Sequence, residues 1–219
     1  MEITITCYGH SCFKVEAGEK SVILDPYEKG SVPGVELPEG LECDRVYCSH
    51  SHGDHNARHL IAEKDPLSLV FDADFITVPH DDAQGTKRGF SDITFLHIGK
   101  CTIAHLGDIG REPEKDEYKE LKKADVLMIP VGGYYTIDSV MAKKIIENTN
   151  PSLTILMHFR KGSRGYDVLE DIHDIGMVFP LLEEKAEDFI TFEDDSVPHG
   201  IMTLEPLSSI VEEAEKEEI

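Results

Sequence analysis

Residues 48–56 read CSHSHGDHN, and three histidines and one aspartate fall between His50 and His55. The residues just before, RVYCS at 45–49, form a short apolar strand that runs straight into this cluster. His50 and His52 are two apart at the strand end, so their side chains can point the same way. Gly53 permits a tight turn. Asp54 and His55 then open a helix and face a neighbouring point. One loop can thus supply four ligands, two to each of two adjacent metals. Imidazole with carboxylate suits zinc first, and also manganese or iron. The alternative is a solvated histidine-rich turn. The buried strand in front of the cluster favours the metal.

Upstream of the cluster the chain reads as strands: EITITCY alternates, CFKVEA follows, and KSVILDP comes after a Gly-Glu-Lys turn. Residues 28–42, EKGSVPGVELPEGLE, carry Gly and Pro at loop density. Downstream, DHNARHLIAEK has helical spacing, with Pro66 closing the helix region. LSLVF and DFITVPH predict strands, and SDITFLHIGKCTIAHLGD predicts a hairpin around Gly99 and Lys100. From Glu114 the pattern changes to a polar helix (EKDEYKELKKAD), a buried strand (VLMIPVGG), a helix (IDSVMAKKIIENTN) and another apolar strand (SLTILMHF). YDVLEDIHDI predicts a last helix and GIMTLEPL a last strand. This order predicts two sheets packed face to face with helices outside, the polar strand ends meeting at one edge.

The 219 residues carry a formal net charge of −22 and are 40% hydrophobic and 29% charged. That composition predicts one globular domain over 1–219, with VEEAEKEEI as a short acidic tail or exposed helix end. A phosphate backbone would be repelled, so nucleic acid is not an expected partner. No apolar run is long enough for a transmembrane helix. MEITITCYGH lacks the basic start and apolar stretch of a secretory signal, so a cytoplasmic location is the expectation. Cys7, Cys12, Cys43, Cys48 and Cys101 are odd in number and scattered, which predicts reduced, mostly buried thiols.

At this point the sequence resembles the metallo-β-lactamase superfamily. The resemblance starts at GHSCFKVEAGEKSVILDPY and continues through SHSHGDHN. It reappears at ITVPH (76–80) followed by DDAQGTKRG, at AHLGD (104–108) and at LMH (156–158). HLGD, PVGGYYTID and MHFR are most similar to small metal-dependent hydrolases that resemble ascorbate-6-phosphate lactonase. The resemblance implies an α+β fold, the four-layer αββα sandwich, and a dinuclear centre. His50, His52 and His80 would hold one metal, and Asp54, His55 and His158 the other. Asp108 would bridge them, with a hydroxide between. Asp54 and Asp108 are then the residues whose removal should abolish turnover.

Other residues have plainer roles beside functional ones. Asp25, in ILDP at a strand end, is a candidate to accept a proton from a ligand histidine. His105, three before Asp108, takes a supporting or packing role. His10 in YGHSC either lines the cleft or makes a structural hydrogen bond. His59 shares a helix face with His55, and His97, His173 and His199 read as surface or half-buried. Tyr134 and Tyr135 follow a Gly-Gly pair, where a hydroxyl can stabilise an oxyanion or a ring can simply pack. Arg88 beside Lys87, and Arg160 with Lys161 and Arg164, either receive an anionic substrate group or make surface salt bridges.

The leading expectation is a metal-dependent hydrolase acting on a small anionic ester, lactone or phosphodiester. The alternative is a non-catalytic metal-binding or regulatory protein of the same fold, distinguished by a closed ligand shell. A third is a subunit whose acidic surface docks a basic partner, and oligomerisation stays open.

Overall fold

The structure is a computed structural model and describes residues 1–64, 67 and 70–207. The acidic tail at 211–219 and Pro66 lie outside the described residues. The chain opens with β1 (Glu2–Gly9), β2 (Cys12–Ala17), β3 (Lys20–Leu24), β4 (Glu42–Cys43) and β5 (Arg45–Tyr47). Next come β6 (Ala62–Glu63), β7 (Ala73–Pro79), β8 (Phe90–Ile98) and β9 (Cys101–His105). The second half has α1 (Lys115–Leu121), β10 (Val126–Pro130), α2 (Ser139–Thr149), β11 (Leu153–Met157) and α3 (Ile172–Val178). It ends in β12 (Leu182–Glu184), β13 (Phe189–Glu193) and β14 (Gly200–Thr203).

These strands make a five-stranded sheet in the order β13-β1-β2-β3-β5 and a seven-stranded sheet in the order β12-β14-β11-β10-β9-β8-β7. Side-chain alternation divides the interior. Ile3, Ile5, Phe13 and Val15 of the first sheet pack against Leu96, Ile103, Met128 and Ile155 of the second. Leu127, Ile129 and Leu156, one residue out of phase, face the other way and meet Ala142, Ile145 and Ile175 of α2 and α3. β10 and β11 are therefore buried on both faces, which explains their unbroken apolar runs. The fold is the expected α+β sandwich. The outer layer over the second sheet is helical. Over the first sheet, Tyr27, Val32, Val35 and Ile61 of the 26–64 segment cover Ile23 and Val46 instead.

Sequence-coded caps set the helix limits. The Asp138 side chain accepts from the Met141 N–H at 2.7 Å to start α2, and Asn150, at φ 54°, ends it before Pro151. Glu114 and Glu117 form a capping box on α1.

Three expectations are corrected. DHNARHLIAEK is not a helix but a 3₁₀ turn, Arg58–Leu60, leading into β6. The Ala57 N–H bonds the Pro26 carbonyl and the Ala62 N–H the Leu41 carbonyl, so packing on the 26–41 segment takes the backbone groups a helix would need. The helix expected from Tyr166 begins only at Ile172, because the Glu170 N–H is engaged by the Gly132 carbonyl. In LSLVF, residues 68 and 69 lie outside the described residues, and Leu67, Val70 and Phe71 are turn or bend. Strand β13, which pairs antiparallel with β1 at the sheet edge, was not anticipated.

All five cysteines are free. Among the described residues no helix is long and apolar enough to cross a membrane.

Candidate metal centre

Topology gathers the polar strand ends. β1 and β3 both run antiparallel to β2, and β5 runs parallel to β3. β10 is parallel to β9 and β11, and β7 and β9 both oppose β8. His10, Asp25, the 49–55 loop, His80, Asp108 and His158 thus each follow the C-terminal end of a strand at one edge of the sandwich. The two sheets are tied there by backbone hydrogen bonds, from His158 N to the His10 carbonyl (3.1 Å) and from Asp92 N to the Ser49 carbonyl (2.8 Å). Tight geometry accompanies this. His10, Asp25 and His158 hold left-handed φ angles of 56°, 46° and 55°, a local strain that the surrounding packing must sustain. A Cβ on Gly132 would lie 2.1 Å from the His158 carbonyl oxygen.

Asp108 is the hub. Its Oδ2 lies 3.3 Å from His55 Nε2, 3.4 Å from His80 Nε2, 3.4 Å from His158 Nε2 and 3.9 Å from His50 Nε2. His50 Nε2 and His52 Nδ1 face each other at 3.0 Å. Asp54 Oδ2 lies 3.7 Å from His55 Nε2 and 3.4 Å from His10 Nε2. Donor atoms of His50, His52 and His80 converge as one group, those of His10, Asp54, His55 and His158 as another, and His50, His55 and Asp108 join the two.

The residues fit metal ions. His55 Nε2, His158 Nε2 and Asp108 Oδ1 are buried with no hydrogen-bond partner. Leaving such groups unpaired costs about 1–3 kcal/mol each, a cost that a shared cation removes. Ligands about 2.0–2.1 Å from one tetrahedral ion stand about 3.3 Å apart, close to the separations around Asp108. Three imidazoles are held neutral. Burial, with His55 beside it, pushes His50 down to about 4. Burial and His158 push His10 down to about 3, and burial lowers His80. These imidazoles are neutral at neutral pH and offer lone pairs. Burial alone would lower His55 too, but Asp108 and Asp25 outweigh it and hold His55 well above the ordinary value. Burial alone would raise Asp108, yet His158 and His55 hold it well below.

A second tier of contacts fixes the first. Asp25 Oδ2 accepts from His55 Nδ1 at 2.8 Å, while Ser49 donates its N–H and hydroxyl to the two Asp25 oxygens at 2.6 Å each. Ser49 Oγ also lies 3.0 Å from His50 Nδ1. His105 is excluded from the cluster. It donates Nε2–H to the Ser11 carbonyl (2.9 Å) and accepts the Gly107 N–H at Nδ1 (3.2 Å).

A cavity of about 240 Å³ opens on the cluster, lined by His52, Asp54, His80, Arg88, Asp108, Tyr135 and Tyr166. Tyr134 is 64% exposed and does not line it. Arg160 does not line it either: its guanidinium pairs with Asp171 at 3.1 Å, the salt bridge that was the alternative to a substrate contact. Lys87 pairs with Asp82, and Lys161 and Arg164 with Glu205. His59 is exposed and lies 3.6 Å from Glu28. Tyr166 was missed by the sequence reading. Its hydroxyl lies 2.6 Å from the Ser31 carbonyl and 3.2 Å from Asp54 Oδ2. The only signal was a tyrosine in the glycine-flanked turn after MHFR. Burial, with Asp54 beside it, raises the phenol's pKa and keeps it a donor.

The family model for the β-lactamase superfamily domain matches residues 4–158. A UPF0173 metal-dependent hydrolase of Caldivirga maquilingensis is 24% identical, covering 87% of this chain and 89% of its own. One from Archaeoglobus fulgidus is also 24% identical, covering 84% and 88%. Among solved structures, a Thermotoga maritima protein of the metallo-β-lactamase superfamily superposes with a TM-score of 0.74 at 23% identity, covering 92% of this chain and 98% of that one.

Proposed function

The chain belongs to the metallo-β-lactamase superfamily, and from that premise we propose that it is a hydrolase with a dinuclear metal centre acting on a small anionic ester, lactone or phosphodiester. The observation that carries this reading is Asp108 Oδ2 standing within 3.9 Å of four histidine Nε2 atoms drawn from both donor groups. In this reading His50, His52 and His80 would hold one cation, Asp54, His55 and His158 would hold the second, and Asp108 would serve both. Two divalent cations, zinc first with manganese or iron as alternatives, would supply a hydroxide nucleophile at neutral pH and Lewis acidity for the oxygen under attack.

The remaining work falls to side chains of this chain. Asp25 holds His55 in the tautomer that aims Nε2 at Asp108. Ser49 steadies His50 in the same way. The Tyr166 hydroxyl orients Asp54. The His10 ring packs with its centroid 4.0 Å from that of His158 and so steadies that ligand. Tyr135 offers a hydroxyl in the cleft wall, where charge develops on the substrate oxygen. The open cavity over the donor groups supports catalysis over metal storage, which needs no room for a substrate.

The test is a panel of lactones, carboxylic esters and phosphodiesters offered to protein reconstituted with zinc or manganese. Turnover of at least one class is expected, dependent on metal and lost in Asp54→Ala and Asp108→Ala. Turnover that survives both substitutions contradicts the mechanism.

A further inference from the structure

In a chain of net charge −22, an arginine side chain is expected to find a carboxylate. Arg45 and Arg58 pair with Glu63, Arg111 with Glu117, Arg160 with Asp171 and Arg164 with Glu205. Among the described residues, Arg88 is the arginine with no such partner. Its guanidinium carbon lies 5.2 Å from the ring centroid of Tyr135 and 5.8 Å from that of Tyr134. It stands in the wall of the cleft that also holds His52, His80 and Asp108.

Its place is built into the backbone. Asp81, the residue after His80, accepts the N–H groups of Ala83, Gly85, Lys87 and Arg88 on its two carboxylate oxygens at 2.8–2.9 Å. This clamp folds the 81–89 loop on itself. Gly85, at φ +79°, has no room for a Cβ, which would lie 2.8 Å from the Gly89 carbonyl oxygen. One carboxylate therefore fixes Arg88 relative to His80. Tyr135 in turn packs edge-on against Tyr166, whose hydroxyl reaches Asp54. Stacking on an aromatic face leaves the N–H edge of a guanidinium free, and that edge matches two oxygens of an oxyacid.

We propose that Arg88 is the residue that recognises an anionic oxyacid group, carboxylate or phosphate, on the substrate, at the mouth of the cleft and away from the bond cleaved. The proposal rests on the hydrolase reading and narrows it to substrates with a charged group remote from the scissile bond. Asp81 is the positioning residue for that contact.

The test uses metal-loaded wild type, Arg88→Gln and Arg88→Lys, titrated calorimetrically with glutarate, with glycerol 1-phosphate and with the neutral dimethyl glutarate. At least one anion is expected to bind about tenfold more weakly to Arg88→Gln, with Arg88→Lys between and the neutral probe unaffected. The anion that loses more identifies the group recognised. Equal affinity of both anions for wild type and Arg88→Gln, or no anion binding to wild type, overturns the proposal. The ester panel separates the two readings. Absent turnover with the anion difference intact sinks the hydrolase reading, whereas normal turnover with unchanged titrations sinks only the role of Arg88.

Discussion

Asp25 Oδ2 accepts the Nδ1–H of His55 at 2.8 Å, and the opposite nitrogen of that ring stands 3.3 Å from Asp108 Oδ2. One buried carboxylate thus decides which nitrogen faces the centre. In Asp25→Asn the amide can donate to Nδ1 and turn the proton-bearing nitrogen toward Asp108. Metal affinity should fall by about 10–100-fold, measured by competition with a chromophoric chelator, while the far-UV circular dichroism stays that of wild type. Unchanged affinity would show that the hydrogen bond serves folding alone.

The Tyr166 hydroxyl lies 3.2 Å from Asp54 Oδ2. Tyr166→Phe keeps the ring against His10 and Tyr135. It should retain its metal, lose about 1 kcal/mol of stability, and lower kcat on any substrate of the wild type by about tenfold. A kcat equal to wild type would remove Tyr166 from the site's working parts.

Glycine positions separate the site from the scaffold. A Cβ at Gly132 would stand 2.1 Å from the His158 carbonyl oxygen, so Gly132→Ala must push His158 out of place. It should cost more than about 2 kcal/mol in chemical denaturation and weaken metal binding with it. Gly176, inside α3, has nothing within 4 Å of its Cβ direction. Gly176→Ala should instead stabilise by about 0.5–1 kcal/mol.

Glu205 accepts from Arg164 at 2.6 Å and from Lys161, tying the segment after β14 to the turn beyond β11. Burial alone would raise its pKa, but Arg164 and Lys161 outweigh that and hold it below the ordinary 4.5. A folded-state pKa below the unfolded value adds stability above pH 4.5, lost as the pH falls through the folded value. Glu205→Gln should therefore be about 1 kcal/mol less stable at neutral pH, with the gap to wild type closing in acid. A gap that persists at low pH would point to packing rather than charge.

How far the sequence could carry this account depended on the reach of each interaction. His50 to His55 were legible because their ligand atoms come from one loop after one buried strand. The strand runs of β10 and β11 were legible because burial on both faces leaves them continuously apolar. His80, Asp108 and His158 entered through family resemblance, since nothing local distinguishes them from other histidines and aspartates at strand ends. Tyr166, Ser49 and Asp81 were not legible. Tyr166 meets Asp54 across 112 residues, and Ser49 meets Asp25 across 24. Asp81 acts on backbone N–H groups, which leave no side-chain pattern. The false helix at 54–64 failed for a related reason, its backbone groups being claimed by the distant 26–41 segment.

One cluster around Asp108 is proposed to hold two cations. Elemental analysis of zinc-reconstituted protein, freed of loose metal by gel filtration, tests it most directly. Two zinc ions per chain are expected in the wild type and fewer than two in Asp108→Ala. A wild type that retains one ion or none, or an Asp108→Ala variant that retains both, would contradict it.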